Sequence, residues 1–200
     1  MNSFFNIGKF FCIFFPFVNA RNNIRIPYKI IEFIIEHKKS KILDLCTGSG
    51  AIAVAVKKET STEVFASDIS DDALSLATEN AKNNNADITF IKSDLFSDIK
   101  EKFDVIISNP PYIKTGDISF LQKEVKDYEP ILALDGGEDG LSFYRKIIKV
   151  VKKYLNKNGA LFLECGIGEA EEISKMLDGF SEVEIIKDLE NVDRIIKAVV

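Results

Sequence analysis

A single histidine, three cysteines and no tryptophan among 200 residues restrict the chemistry open to this chain. His37 stands in His37-Lys38-Lys39 and reads as a solvated helix end, which leaves a histidine-based triad almost no footing. Cys12, Cys46 and Cys165 are odd in number and lack C-x-x-C spacing. They point away from a disulfide framework and from a zinc site, so no metal is expected, and toward a reducing, cytoplasmic setting. Basic charge is also short: 26 basic against 31 acidic residues give a net charge of -5. A chain without a positive footprint is not expected to bind nucleic acid stably. No apolar run is long enough to span a bilayer, so no membrane partner is expected. What remains, 46% apolar and 28% charged residues, suits one soluble domain with a substantial core.

Residues 1–26 stand apart as a divergent aromatic segment, with seven phenylalanines between Phe4 and Phe17. Lys9, the run Phe10 to Val18 and Val18-Asn19-Ala20 loosely imitate a signal peptide. The cytosolic character of the rest favours a segment that packs on the domain, or the remnant of a missing upstream domain. From residue 27 to 200 helical and strand patterns alternate. Helices are predicted over Pro27–Lys38 (apolar face Ile30, Ile31, Ile34, Ile35), Ala51–Lys58, Asp71–Asn84, Leu141–Leu155 and Gly168–Leu177. Strands are predicted over Lys41–Cys46, Glu63–Ser67, Ile88–Lys92, through Val105–Ile107, and over Ala160–Cys165. Val183–Lys187 and Arg194–Val200 close the chain as an antiparallel pair. Gly116–Lys126 reads as a polar loop or short helix and Tyr128–Gly140 as a loop, with Asn158-Gly159 stopping the preceding helix. This alternation predicts an α/β, doubly wound, mostly parallel seven-stranded sheet.

The chain is organised around Phe103-Asp104-Val105-Ile106-Ile107-Ser108-Asn109-Pro110-Pro111-Tyr112. Two prolines cannot continue a hydrogen-bonded ladder, so a buried strand ends there in a stiff elbow. Such elbows lie at the carboxyl edge of the sheet, where ligands bind in open α/β folds. The Asn109 side-chain oxygen and the Pro110 carbonyl can accept the two N–H groups of a planar amide or amino nitrogen, with Tyr112 flat against it. That arrangement suits methyl transfer by positioning, without a strong general base. The competing reading is that Asn-Pro-Pro only ends a strand.

Asp44-Leu45-Cys46-Thr47-Gly48-Ser49-Gly50 follows the first strand and opens a helix. Asp68, at the end of the second strand, can take both hydroxyls of a ribose. Gly48 to Ala53 also fits the dinucleotide pattern G-x-G-x-x-A, so the loop alone separates no cofactor from another. Asp44, placed to meet an ammonium group, and the elbow on the fourth strand favour S-adenosyl-L-methionine over a nicotinamide cofactor. Asp94, ending the third strand, can meet an adenine amino group or simply cap a turn.

With these pieces the chain resembles the HemK/PrmC family over roughly residues 32–200. The resemblance rests on Asp44 to Gly50, Ser67-Asp68-Ile69-Ser70, and Ser108-Asn109-Pro110-Pro111-Tyr112-Ile113. It extends to Glu129-Pro130, Ala133 to Leu141 with Phe143-Tyr144-Arg145, Gly159 to Gly166, and Asp188-Leu189 with Asp193-Arg194. It implies a Rossmann-like S-adenosylmethionine-dependent methyltransferase fold. It also implies methylation of the glutamine side-chain amide in the Gly-Gly-Gln motif of a peptide-chain release factor, the expected protein partner. Asp44, Thr47, Gly48, Gly50, Asp68, Ile69, Asp94 and Leu95 would then hold S-adenosyl-L-methionine. Asn109 would serve both donor and glutamine, Asn109, Pro110 and Tyr112 the chemistry, and Pro110, Pro111, Tyr112, Glu129 and Pro130 the substrate pocket.

Two departures accompany it. The family's helical N-terminal domain has no counterpart in the forty or so residues before the first strand, and its Ile-Pro-Arg-Pro-Glu-Thr-Glu run is replaced by Arg25-Ile26-Pro27-Tyr28-Lys29-Ile30-Ile31-Glu32. These are the marks expected of a truncated or disturbed gene start. A ribosomal-protein glutamine methyltransferase, an adenine-N6 nucleic-acid methyltransferase and a cofactor-binding remnant without turnover stay open as alternatives.

Overall fold

The computed structural model describes residues 25–122 and 130–200; the aromatic segment up to residue 24 and Glu129 lie outside them. The chain forms α1 (Arg25–Glu36), β1 (Lys41–Leu45), α2 (Ala51–Glu59), β2 (Glu63–Asp68), α3 (Asp71–Asn83), β3 (Thr89–Lys92) and β4 (Phe103–Ser108). A short β5 (Ile113–Lys114) leads into a 3-10 helix (Thr115–Phe120), followed by α4 (Ile131–Leu134) and β6 (Asp135–Gly137). Then come α5 (Ser142–Val151), β7 (Leu155–Glu164), α6 (Ala170–Met176), β8 (Glu182–Lys187) and β9 (Asp193–Val199).

Seven strands form one sheet in the order β3-β2-β1-β4-β7-β9-β8, with β9 antiparallel to both neighbours and the other pairs parallel. Strand order reverses between β1 and β4. The loops leaving these strands therefore part to opposite faces and open a crevice at the carboxyl edge. Both faces are packed. Leu43, Leu45, Ile106, Leu161 and Leu163 meet Tyr144, Ile147 and Val151 of α5 on one side. Ile42, Val105, Ile107, Ala160 and Phe162 meet Ile30, Phe33 and Ile34 of α1 on the other. This double burial is why β1 and β4 read as continuous apolar runs rather than alternating ones. Truncating the fully buried Phe103 or Phe162 to alanine would cost about 3–5 kcal/mol.

The predicted face of α1 is corrected by one residue: Phe33 turns inward and Ile35 is exposed. Ser70 caps α3, its hydroxyl accepting the Ala73 N–H at 3.2 Å. The larger difference lies after α5. The helix stops at Val151, where Lys153 and Tyr154 close tight bonds to Val150 and Val151. Tyr154 then stacks on Phe96, 4.5 Å between ring centroids, and its carbonyl accepts the Phe103 N–H. Asn158-Gly159 therefore stops no helix. It forms a bulge in β7, where pairing jumps from Phe103–Leu155 to Val105–Ala160. Asn158 takes a left-handed conformation there, and the Asn156 amide ties the bulge to Asp104 at 2.9 Å.

Candidate active site

The crevice has two walls. The first is the loop after β1, where Cys46, Gly48 and Gly50 all have positive φ. Gly50 is needed for packing: a Cβ there would lie 2.9 Å from the Ala77 Cβ of α3. Gly48 has the opposite surroundings, since an added Cβ would meet nothing within 4 Å. Its N–H donates to Asp68 Oδ2 at 2.9 Å, and Asp68 Oδ1 accepts the Ser70 N–H at 3.0 Å. The open space beside Gly48 is therefore bordered by a fixed carboxylate.

Asp44 is 1% exposed. Its Oδ2 accepts the Thr47 hydroxyl at 2.6 Å and the Ala53 N–H at 3.1 Å, which pins the loop and the start of α2. Its Oδ1 is buried and has no partner among the described residues. Burial is the main cause that lifts this carboxyl to about 7, partly offset by the Thr47 and Ala53 bonds. An unsatisfied buried oxygen of this kind calls for a donor or a cation beyond the described residues. Leucine 95 has positive φ, and the turn after β3 is held by Ser93, whose hydroxyl donates to the Leu95 carbonyl and accepts the Asp98 N–H. Ser93 thus performs the turn role weighed for Asp94. The Asp94 side chain is exposed and makes no hydrogen bond among the described residues, and Ile69 is exposed nearby in sequence to Asp68.

The second wall is the elbow. Asn109 is exposed with its amide unpartnered among the described residues, while Pro110 is buried and Pro111 and Tyr112 are half-buried. Three glycines fit against Tyr112. A Cβ on Gly136 would stand 2.7 Å from the Tyr112 Cα, one on Gly140 2.5 Å from its carbonyl oxygen, and one on Gly166 3.0 Å from its ring. The strip Ile113–Lys114 pairs with Asp135–Gly137, so the segment read as a loop forms a small two-stranded sheet around the elbow. Asp135 accepts the Thr115 hydroxyl, and Asp139 pairs with Arg145 of α5. Glu169 takes the Gly166 N–H at 2.9 Å. Burial pushes the Tyr112 phenol up to about 12, helped by the nearby Glu164 carboxylate, so the ring is a wall and a neutral phenol at ordinary pH.

The sequence-predicted residues Asp44, Thr47, Gly48, Gly50 and Asp68 thus gather on one wall, and Asn109, Pro110, Pro111 and Tyr112 on the other. Pro130 is exposed at the start of α4. Gly136, Gly140, Gly166 and Glu164 were not singled out as site residues. Crowded glycines at Asp135-Gly136-Gly137 and after Glu164-Cys165 are the signal that points to them. His37 is exposed at the end of α1, stacked on Phe33 at 4.1 Å between centroids, far along the strands at their amino ends. Cys46 and Cys165 are free, with thiols raised to about 12 by burial. No His, Cys, Asp and Glu cluster suited to a metal occurs among the described residues, and no described helix is long and apolar enough to cross a membrane.

Comparison with known proteins follows the same lines. Residues 29–191 match the family described as methyltransferase small domain. Over 177 residues the chain is 46% identical to a release factor glutamine methyltransferase of Thermodesulfovibrio yellowstonii, covering 83% of this chain and 63% of that protein. It is 42% identical over 178 residues to the protein of the same name from Clostridium acetobutylicum, covering 85% and 62%. The chain thus spans a little under two thirds of the length of these relatives. Among solved structures, a methyltransferase from Pyrococcus furiosus shares the fold with a TM-score of 0.65 at 19% identity, covering 90% of this chain and 85% of that one.

Proposed function

The chain belongs to the methyltransferase small domain family, in its HemK/PrmC group, and from that premise we propose that it methylates the side-chain amide nitrogen of a glutamine, using S-adenosyl-L-methionine. The substrate proposed is the Gly-Gly-Gln glutamine of a peptide-chain release factor, the protein named by the relatives. The observation that carries the reading is the unpartnered Asn109 amide, exposed on an elbow whose Tyr112 is boxed in by three glycines, across from an acidic, open-sided loop.

The donor wall fits the cofactor. Asp44 Oδ1 needs a donor or cation, which an amino-acid ammonium supplies. Asp68 borders the open side of Gly48 and would take the ribose hydroxyls. Asp94 and Leu95 would receive the adenine. When bound, the cofactor supplies a methyl group activated by a sulfonium. On the other wall Asn109 Oδ1 and the Pro110 carbonyl accept the two N–H groups of the glutamine amide. That turns the nitrogen's lone pair toward the donor wall. Tyr112 covers the amide plane and excludes water. The rate gain comes from alignment of two bound groups.

The test is mass spectrometry of a Gly-Gly-Gln peptide and of an intact release factor after incubation with the full chain and S-adenosylmethionine. One methyl on the glutamine is expected, together with its loss in Asn109→Ala while donor binding persists. Full-rate methylation by Asn109→Ala would remove the proposed role of the elbow.

A further inference from the structure

We propose that Glu164 is the general base of this site, accepting the proton that the amide nitrogen sheds when it is methylated. The inference rests on the methyltransferase reading above and adds a residue to it. Alignment by Asn109 and Pro110 asks for no strong base, yet one proton has to leave the nitrogen, and neither an amide oxygen nor a peptide carbonyl holds a proton well.

Position comes first. The β4–β7 ladder pairs Ser108 with Leu163, so the next residues, Asn109 and Glu164, stand side by side at the carboxyl edge. Ile107 and Phe162 lie in the core on the same face of the sheet, and so does Ile42 of β1. Two residues further along their strands, Glu164 and Asp44 emerge on that same face, and Asn109 follows directly on Ser108, the last paired residue of β4. Adjacent strands are about 4.8 Å apart. Glu164 is therefore within one side chain's reach of a group held by Asn109.

Engagement comes second. The neighbouring carboxylates have other tasks: Asp44 is tied through Oδ2 to Thr47 and Ala53 and faces the donor wall, Glu169 takes the Gly166 N–H, and Asp188 takes the Glu190 and Val192 N–H groups and pairs with Arg194. The Glu164 carboxylate accepts no hydrogen bond and makes no ion pair among the described residues. Its backbone is nonetheless fixed, because the Tyr144 hydroxyl donates to the Glu164 carbonyl at 2.8 Å. Burial raises its carboxyl to about 7, with the Arg194 guanidinium pulling the other way. The other titratable groups close enough to interact with it electrostatically are the phenols of Tyr112 and Tyr144 and the thiol of Cys165, all neutral near pH 7. A base with a pKa near the working pH is well matched to proton transfer.

The balance is simple. The nitrogen lone pair forms the new N–C bond, and the pair of the broken S–C bond stays on sulfur. After methyl transfer one N–H leaves its carbonyl acceptor for a Glu164 oxygen; its electron pair returns to nitrogen, and Glu164 passes the proton to bulk water once the product departs.

Glu164→Gln keeps the shape and removes the basicity. With a Gly-Gly-Gln peptide, turnover is expected to fall about 100-fold with KM nearly unchanged, and the acidic limb of the kcat–pH profile near 7 is expected to vanish. Glu164→Asp should restore part of the rate. Independently, carbon-13 NMR of glutamate-labelled chain, assigned with Glu164→Gln, should show the Glu164 carboxyl titrating near neutrality. Unchanged turnover and pH profile in Glu164→Gln, or a Glu164 titration in the ordinary carboxylate range, overturns the inference and leaves the methyltransferase reading standing. A native chain that binds S-adenosylmethionine but methylates neither peptide nor release factor overturns both.

Discussion

A methyl group added at Gly48 would meet no atom within 4 Å, whereas one added at Gly136 would lie 2.7 Å from the Tyr112 Cα. Both glycines belong to the walls of one crevice, and each serves a different occupant. Gly48 leaves room that no described residue fills. Gly136 and Gly140 leave room for the chain itself, so that the elbow can pack its aromatic residue against their backbones. The donor wall is built loosely around unsatisfied oxygen, and the elbow wall is built to close packing.

The comparison predicts opposite outcomes for the same substitution. Gly136→Ala should be the more damaging to the fold, because backbone atoms cannot yield as a flexible side chain does. A loss of about 3 kcal/mol in unfolding free energy is expected by denaturant titration, with turnover falling as Tyr112 is displaced and donor binding retained. Gly48→Ala has positive φ to accommodate but no clash, so its stability cost should stay near 1 kcal/mol. Its donor affinity should fall at least about tenfold, since the new methyl occupies the open space. If Gly48→Ala proved the less stable of the two while binding donor normally, the contrast between the walls would be reversed.

Asp44 sharpens the contrast through pH. Its carboxyl titrates near 7 in the fold against 3.8 unfolded, so the folded state holds a proton that the unfolded state has lost. Stability therefore falls as pH rises from about 4 to 7 and is level above that. Asp44→Asn removes the Asp44 share of this slope and leaves the share of Glu164. The variant should gain unfolding free energy over the native chain at pH 8 and little at pH 4, a difference on the order of a few kcal/mol, while losing donor affinity. A variant less stable than the native chain at pH 8 would mean that the carboxylate is structural rather than held ready for a ligand.

The sheet was legible because its strands are buried on both faces and bounded by Asp, Gly and Pro, as at Asp44, Gly48 and Pro110. The helix after Leu141 was misjudged at its end. Tyr154 and Leu155 continue an apolar pattern that suits either a helix or a strand, and only long-range pairing with Phe103 decides between them. The grouping of Asp44, Gly48 and Asp68 is legible for a local reason, since they lie at strand ends or in one short loop. The clamp on Tyr112 was not: Gly136, Gly140 and Gly166 come from two distant segments, and what they touch depends on how β5, β6 and β7 converge. Glu164 was hidden in the same way, because its relation to Asn109 is a matter of register.

The most direct test of the account is a calorimetric titration of S-adenosyl-L-methionine into the full chain. The account predicts one-to-one binding that survives Gly136→Ala and is weakened by Gly48→Ala. Absence of binding to the native chain, or binding indifferent to Gly48→Ala, would contradict the placement of the methyl donor at the β1–β4 crevice.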